Sequence, residues 1–276
     1  MPVRIVQSKT NSRLKELRRA LVSPARGEAV GIEGPNLVRE AMRARLLIQC
    51  VFVSDENDAA AHQRMLPGGT EILLFPEEIL RTALATETPQ PVAALVDPPA
   101  WTWDQVLGPD ANTAPLVVVL AGLQDPGNLG TILRSAEAFG ATGIVSLPGT
   151  VSAWNPKAVR ASAGSVFRMP VLIADPAEAI ARLRKSGMEV LTTSAGNGLP
   201  ADRARLAHPT AFLIGNEGNG VPEEIAALAD GAIRIPCLGP VESLNAAVAA
   251  SVLLYEASRQ RTSASYSSAS FQREGQ

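Results

Sequence analysis

The last apolar stretch of the chain sets the strongest limit on its fold. From Ala246 to Leu254 there is one hydroxyl, Ser251, and no charge. A helix apolar on every side is expected to be buried on every side, between other elements or between subunits. Just upstream, the short apolar run 232–235 reads as a strand end. The Pro236–Pro240 segment breaks regular structure, because proline lacks an amide donor and Gly239 favours a turn. Ser243 reads as the N-cap of the helix. A strand-to-helix loop of this kind presents free helix amides together with Ser243 and Asn245, and such amides favour polar or negative ligand groups.

Upstream of this stretch, strands and helices alternate. Leu116–Ala121 (LVVVLA) is a continuous apolar run, the pattern of a strand covered on both faces in a parallel sheet. Further strands are expected at 143–147, 167–173, 188–192 and 211–214, with helices at about 129–139, 157–164, 175–186 and 222–229. In parallel sheets ligands bind at the carboxyl ends of strands. Three strand-exit loops stand out there, after Ala121, after Ile214 and after Ile235. The first half of the chain also alternates short strands and helices, and reads as a smaller α/β layer domain. The segment 97–115 is rich in Pro, Gly, Asp and Asn and reads as a linker, with Trp101 and Trp103 packed on one domain. The Ser-rich residues after 260 read as a disordered tail.

Net charge is −2, but residues 1–50 carry ten Lys/Arg against four Glu. A basic end on a mildly acidic protein points to an anionic partner. Its densest part is an amphipathic helix from Ser8 to Val22. Leu14, Leu17 and Leu21 form its apolar stripe, and Lys9, Arg13, Lys15, Arg18 and Arg19 surround them. Cys50 and Cys237 show neither metal-site nor disulfide spacing. With no signal-type segment at the N-terminus and no apolar run of about 20 residues, the expected setting is the cytoplasm, without a membrane partner.

In the first loop, LQDPGNLGTILRSAEAFG, Asn128 is placed to cap a helix and Arg134 lies one turn inside it. A cation set against the helix dipole suggests an anion partner. The second loop, Gly215–Val221 (GNEGNGV), lets backbone approach a ligand closely. It matches neither the dinucleotide fingerprint nor a Walker phosphate loop, which argues against an unrelated nucleotide-binding α/β enzyme. Glu217 is its only acid.

Together the three loops resemble the motifs of the SpoU (TrmH-type) RNA ribose 2′-O-methyltransferases. The matching residues are Asn128, Gly130, Arg134 and Ala136, then the run from Leu213 to Gly218 with Gly220, then Ile235-Pro236 with Ser243-Leu244-Asn245. KAVRASAG (157–164) also resembles the family. The first half looks like the substrate-binding domain often fused upstream, a fold related to small RNA-binding ribosomal proteins. The resemblance implies an α/β protein. A parallel-sheet methyltransferase domain with a deep trefoil knot would span 116–260, an RNA-binding domain 1–96, a linker 97–115 and a tail 261–276. It implies a homodimer and S-adenosyl-L-methionine as cofactor, held by Leu213, Ile214, Gly215, Ile235, Leu244 and Asn245. It also implies an active site of Asn128, Arg134, Glu217, Ser243 and Asn245, with no metal. Arg134 is expected to bind RNA phosphate and stabilise the developing alkoxide, since a guanidinium is a poor base; a general-base role is the variant. Glu217 is expected to orient Asn128. RNA would be tracked by Lys9, Arg13, Lys15, Arg18 and Arg19. Ribosomal RNA is the favoured substrate. A tRNA methyltransferase and a catalytically silent RNA-binding assembly factor remain as alternatives.

Overall fold

The computed structural model describes residues 3–24, 27–86, 90–108, 114–241 and 243–273. Parts of the expected linker (109–113) and tail (274–276), and Arg26, lie outside the described residues. The chain divides into two compact units, one of residues 1–100 with 154–168, the other of 101–153 with 169–276.

The first unit contains β1 (Arg4–Ile5), α1 (Ser12–Val22), β2 (Val30–Glu33), α2 (Pro35–Arg43), β3 (Ile48–Val53), α3 (Glu56–Met65), β4 (Glu71–Leu74), α4 (Glu77–Arg81) and β5 (Val92–Val96). The sheet order is β1-β4-β3-β5-β2, with β5 antiparallel to both neighbours. The leucine stripe of α1 performs as its spacing predicts: Leu14, Leu17 and Leu21 are buried, packed in one cluster with Phe52 and Phe75. Each such leucine contributes about 1.5–3 kcal/mol relative to an exposed one. Asn11 caps α1, its side chain accepting from the Leu14 amide at 3.2 Å.

The second unit opens with α5 (Trp103–Leu107), inside the segment expected to be a linker. Thr102 and Gln105 close a capping box around its first turn. Val106 is fully buried, and the Arg182 guanidinium lies 5.3 Å from the Trp103 ring centroid. The composition of 97–115 concealed a helix of only five residues. Then come β6 (Leu116–Ala121), α6 (Pro126–Ala138) and β7 (Gly143–Ser146). The chain next enters the first unit as α7 (Pro156–Ala161) and a 3₁₀ turn (Ser165–Phe167). It returns as β8 (Val171–Ile173), α8 (Pro176–Lys185), β9 (Glu189–Thr193), β10 (Leu199–Pro200), β11 (Thr210–Gly215), α9 (Glu223–Ala226), β12 (Gly231–Arg234) and α10 (Ala246–Arg273).

This second sheet is parallel throughout, in the order β10-β12-β9-β11-β6-β7-β8. β6 and β11 lie side by side at its centre, Leu116–Ala121 in register with Thr210–Gly215, and every residue of β6 is buried. Their carboxyl ends, and that of β12, carry the three loops singled out from sequence.

Within the single chain α10 is buried on one face, through Ala246, Ala247, Ala250, Leu253, Leu254 and Ala257; Val248 and Tyr255 are 48% and 55% exposed. One expectation about it is corrected: it runs on as helix through Arg273, where Ser-rich composition suggested disorder. Arg261 anchors that continuation. Its guanidinium donates to the carbonyls of Leu206 (3.0 Å), His208 (2.8 Å) and Pro115 (3.1 Å), and also to that of Ala114. Burial lowers the Arg261 pKa from its ordinary value.

Candidate active site

Three loops meet at the carboxyl ends of β6, β11 and β12. The first is tied down by Asp125, whose carboxylate accepts from the Asn128 amide at 2.8 Å and caps α6, with Pro126 in the first turn. Asn128 is therefore not the cap, and its side chain is free for other work. Because α6 starts at Pro126, Arg134 lies more than two turns inside it rather than one. The dipole argument for that residue weakens accordingly.

The second loop closes on itself. Asn216 and Gly220 exchange two backbone hydrogen bonds of 2.9 Å, and Asn216 Oδ1 accepts from the Gly218 amide at 2.8 Å. Asn216 Nδ2 reaches the Gly122 carbonyl at 3.1 Å and so joins the second loop to the end of β6. A Cβ at Gly215 would sit 2.0 Å from the Gly220 carbonyl carbon, so only glycine permits this closure.

The third loop ends at Asn245. Its Oδ1 accepts from the amides of Ala247 (2.9 Å) and Val248 (3.3 Å), capping α10 in the place expected of Ser243. The spacing signal was ambiguous because Ser and Asn cap about equally well. Ser243 is exposed and, among the described residues, makes no hydrogen bond.

A polar chain links all three loops. Glu217 Oε1 accepts from Asn128 Nδ2 at 2.7 Å, and Asn128 Oδ1 accepts from Asn245 Nδ2 at 3.1 Å. Each end of the Asn128 amide is thereby fixed, its nitrogen on an acid and its oxygen on the cap of α10. Arg134 stands apart. It is exposed and, among the described residues, forms no ion pair or hydrogen bond, so its guanidinium fork is available to a ligand.

Beside this chain lies a cleft of about 600 Å³, within the range of small-molecule sites, about 300–1,000 Å³. Of the residues expected to hold a cofactor, Ile214, Gly215, Ile235 and Leu244 line it, as do Glu217 and Ser243. Leu213 does not: its side chain belongs to the core on the opposite face of the sheet, and its carbonyl accepts from Thr193 at 2.9 Å. Alternation along a strand makes this unavoidable once Ile214 faces the cleft. Asn245 belongs to the polar chain instead. Thr193, Ser194 and Cys237 also line the cleft and were missed from sequence. The polar end of β9 was the available signal for Thr193 and Ser194. Apolar walls from Ile214, Ile235, Leu244, Ala249 and Leu253, joined to exposed backbone of a glycine loop, fit an adenosyl group carrying a polar tail.

Of the five RNA contacts expected on and just before α1, three are engaged within the protein. Arg13 pairs with Glu16 (2.9 Å) and Glu71 (3.2 Å), Arg19 pairs with Glu28 (2.9 Å), and Arg18 donates to Thr82 (3.2 Å). Lys9 and Lys15 are exposed and, among the described residues, unpaired.

A parallel α/β sheet with a glycine-closed cleft at its strand ends has the form of a small-molecule site, and comparison with known proteins narrows the class. Residues 115–255 match the SpoU rRNA Methylase family and residues 11–94 the MRM3-like substrate binding domain. The chain belongs to the SpoU rRNA methylase family. It is 32% identical over 252 residues to the 23S rRNA (guanosine(2553)-2′-O)-methyltransferase RlmP of Bacillus subtilis, covering 91% of this chain and 97% of that protein. Among solved structures, the SpoU methyltransferase AviRb of Streptomyces viridochromogenes in complex with AdoMet superposes with a TM-score of 0.81 at 28% identity, over 92% of this chain and 99% of that one. An AdoMet-bound rRNA methyltransferase from Sinorhizobium meliloti does so with a TM-score of 0.81 at 31% identity, over 93% and 98%.

Proposed function

We propose that the protein methylates ribose 2′-oxygens of ribosomal RNA, using S-adenosyl-L-methionine. The observation that carries this reading is the Glu217–Asn128–Asn245 chain, which draws three loops distant in sequence to the edge of one apolar-walled cleft. Ribosomal rather than transfer RNA is favoured because relatives matched along nearly their whole length are named as rRNA methyltransferases, one of them for 23S rRNA.

Ile214, Ile235, Leu244 and the backbone from Gly215 to Gly218 would hold the cofactor, which when bound supplies a methyl already activated on sulfonium. The protein's task is then to position the ribose and manage its proton. Arg134, with its unengaged fork, would bind a phosphate and stabilise charge developing on the 2′-oxygen. Glu217 fixes Asn128, so that the amide meets the ribose in one orientation. Ser243, exposed at the cleft and unpartnered among the described residues, is free to reach the substrate.

The exposed face shared by α6 and α10, with Thr131, Phe139, Val248, Val252 and Tyr255, would pack on a second copy, a symmetric pair being the commonest assembly. Arg134 lies on α6 with Thr131, so the pairing would confine the guanidinium. The knot implied by the family resemblance is part of the same proposal, and a cytoplasmic setting accompanies a ribosomal substrate. Transfer of labelled methyl to unmodified rRNA, lost in Arg134→Ala, tests the reading. Label confined to tRNA would reject its substrate half.

A further inference from the structure

On α1, Arg13 and Arg19 are spent on neighbouring acids, whereas another part of the first unit holds arginines that mostly are not. Arg39 and Arg43 lie on α2, Arg45 follows it, and Arg160 lies in the last turn of α7; all four are exposed, and only Arg43 pairs with an acid among the described residues. One carboxylate, Glu40, sits among them. It accepts from Arg43 at 2.7 Å and from Arg168 at 2.8 Å. Partial burial works to raise the Glu40 pKa, but these two arginines outweigh it and hold the carboxyl below its ordinary range.

The two segments form one surface. Gly164, at φ +92°, lies so close to α2 that a Cβ there would come within 2.6 Å of Glu40 Cβ. The Arg160 carbonyl accepts from the Ala163 amide at 3.1 Å, which places Arg160 one turn from that contact. Trp154 and Phe167 stack at 6.1 Å and clamp the two ends of the α7 segment. Two guanidinium groups hold Glu40, and Arg39, Arg45 and Arg160 lie on the same two segments. Arg45 and Arg160 are unpaired among the described residues, Arg39 donates only to Asn36 (3.2 Å), and the Arg43 side chain remains 68% exposed. A guanidinium has five N–H donors, so the groups bound to Glu40 keep others for a ligand.

We propose that this α2–α7 arginine surface is a phosphate-tracking RNA site, additional to Lys9 and to Lys15 of α1. The proposal rests on the RNA reading given above and specifies where the backbone is gripped. A segment that the sequence assigns to the methylase domain thereby completes the surface of the substrate-binding unit.

The test is the salt dependence of binding to protein-free ribosomal RNA by the full chain. Each phosphate contact contributes about 0.7–0.9 to the slope of log affinity against log salt. Arg39→Gln, Arg45→Gln and Arg160→Gln together should lower that slope by about 2 units, with S-adenosylmethionine binding and melting unchanged. The corresponding triple Lys variant keeps the charges and should retain the wild-type slope. Wild-type slope in the Gln variant would overturn the surface while leaving the RNA reading intact. Wild-type protein without salt-sensitive RNA binding would overturn both.

Discussion

The Asn128 side-chain amide donates to Glu217 across 89 residues of sequence, at 2.7 Å. With Asn245 holding the other end of the same amide at 3.1 Å, Asn128 has one orientation. Glu217→Ala removes the acceptor and should cost about 10–100-fold in methyl transfer, the range seen when orienting groups around a site are lost. Glu217→Gln keeps an acceptor oxygen and should cost less. Combining Glu217→Ala with Asn128→Ala should lose little beyond Asn128→Ala alone. Fully additive losses would show that the two residues act separately.

Gly215 admits no side chain, since a Cβ would overlap the Gly220–Val221 backbone. Gly215→Ala should open the Asn216–Gly220 closure and abolish cofactor binding measured by calorimetry, while the rest of the sheet stays folded by circular dichroism. Unchanged affinity would mean that the closed loop does not form the binding surface.

Much of this geometry was legible in the linear sequence. The Leu116–Ala121 run announced a doubly covered strand because apolar alternation is absent there, and the three strand exits followed from parallel order. What was not legible depended on contacts made far along the chain. Nothing in KAVRASAG indicates that it packs with residues 1–100, because that placement is set by Glu40, Gly164 and Arg168 together. The helix past residue 260 was hidden because Ser-rich composition speaks only for local propensity, whereas Arg261 is held by distant carbonyls. The sequence left open which partner covers the second face of α10, because an apolar helix reads the same whether that partner is this chain or another.

That open face gives a direct assay. On the proposed pairing, wild type should scatter as a dimer and Val252→Glu with Tyr255→Lys as a monomer, since charge at a desolvated contact is strongly unfavourable. Methyl transfer should fall with it if Arg134 needs confinement. A variant that stays dimeric would place the interface elsewhere.

Asp230 sets an acid-side dependence. Burial tends to raise its pKa, but the Val190 amide and the Arg184 guanidinium overcome that and lower it. A carboxyl lowered on folding contributes stability that is present above its unfolded value, about 3.9, and is lost as pH falls through the folded value. Wild type should therefore melt higher than Asp230→Asn by a constant margin above about pH 5, with the gap closing toward pH 3. A gap independent of pH would remove the ionic contribution from the explanation.

The central claim is methyl transfer to ribosomal RNA through a site built on Asn128, Arg134 and Glu217. It is met most directly by incubating wild type and Arg134→Ala with labelled S-adenosylmethionine and, in separate pools, unmodified rRNA and tRNA. Label in rRNA alone, mapped to a ribose 2′-oxygen and absent with Arg134→Ala, is the expected result. Label on a base, or transfer undiminished in Arg134→Ala, would contradict it.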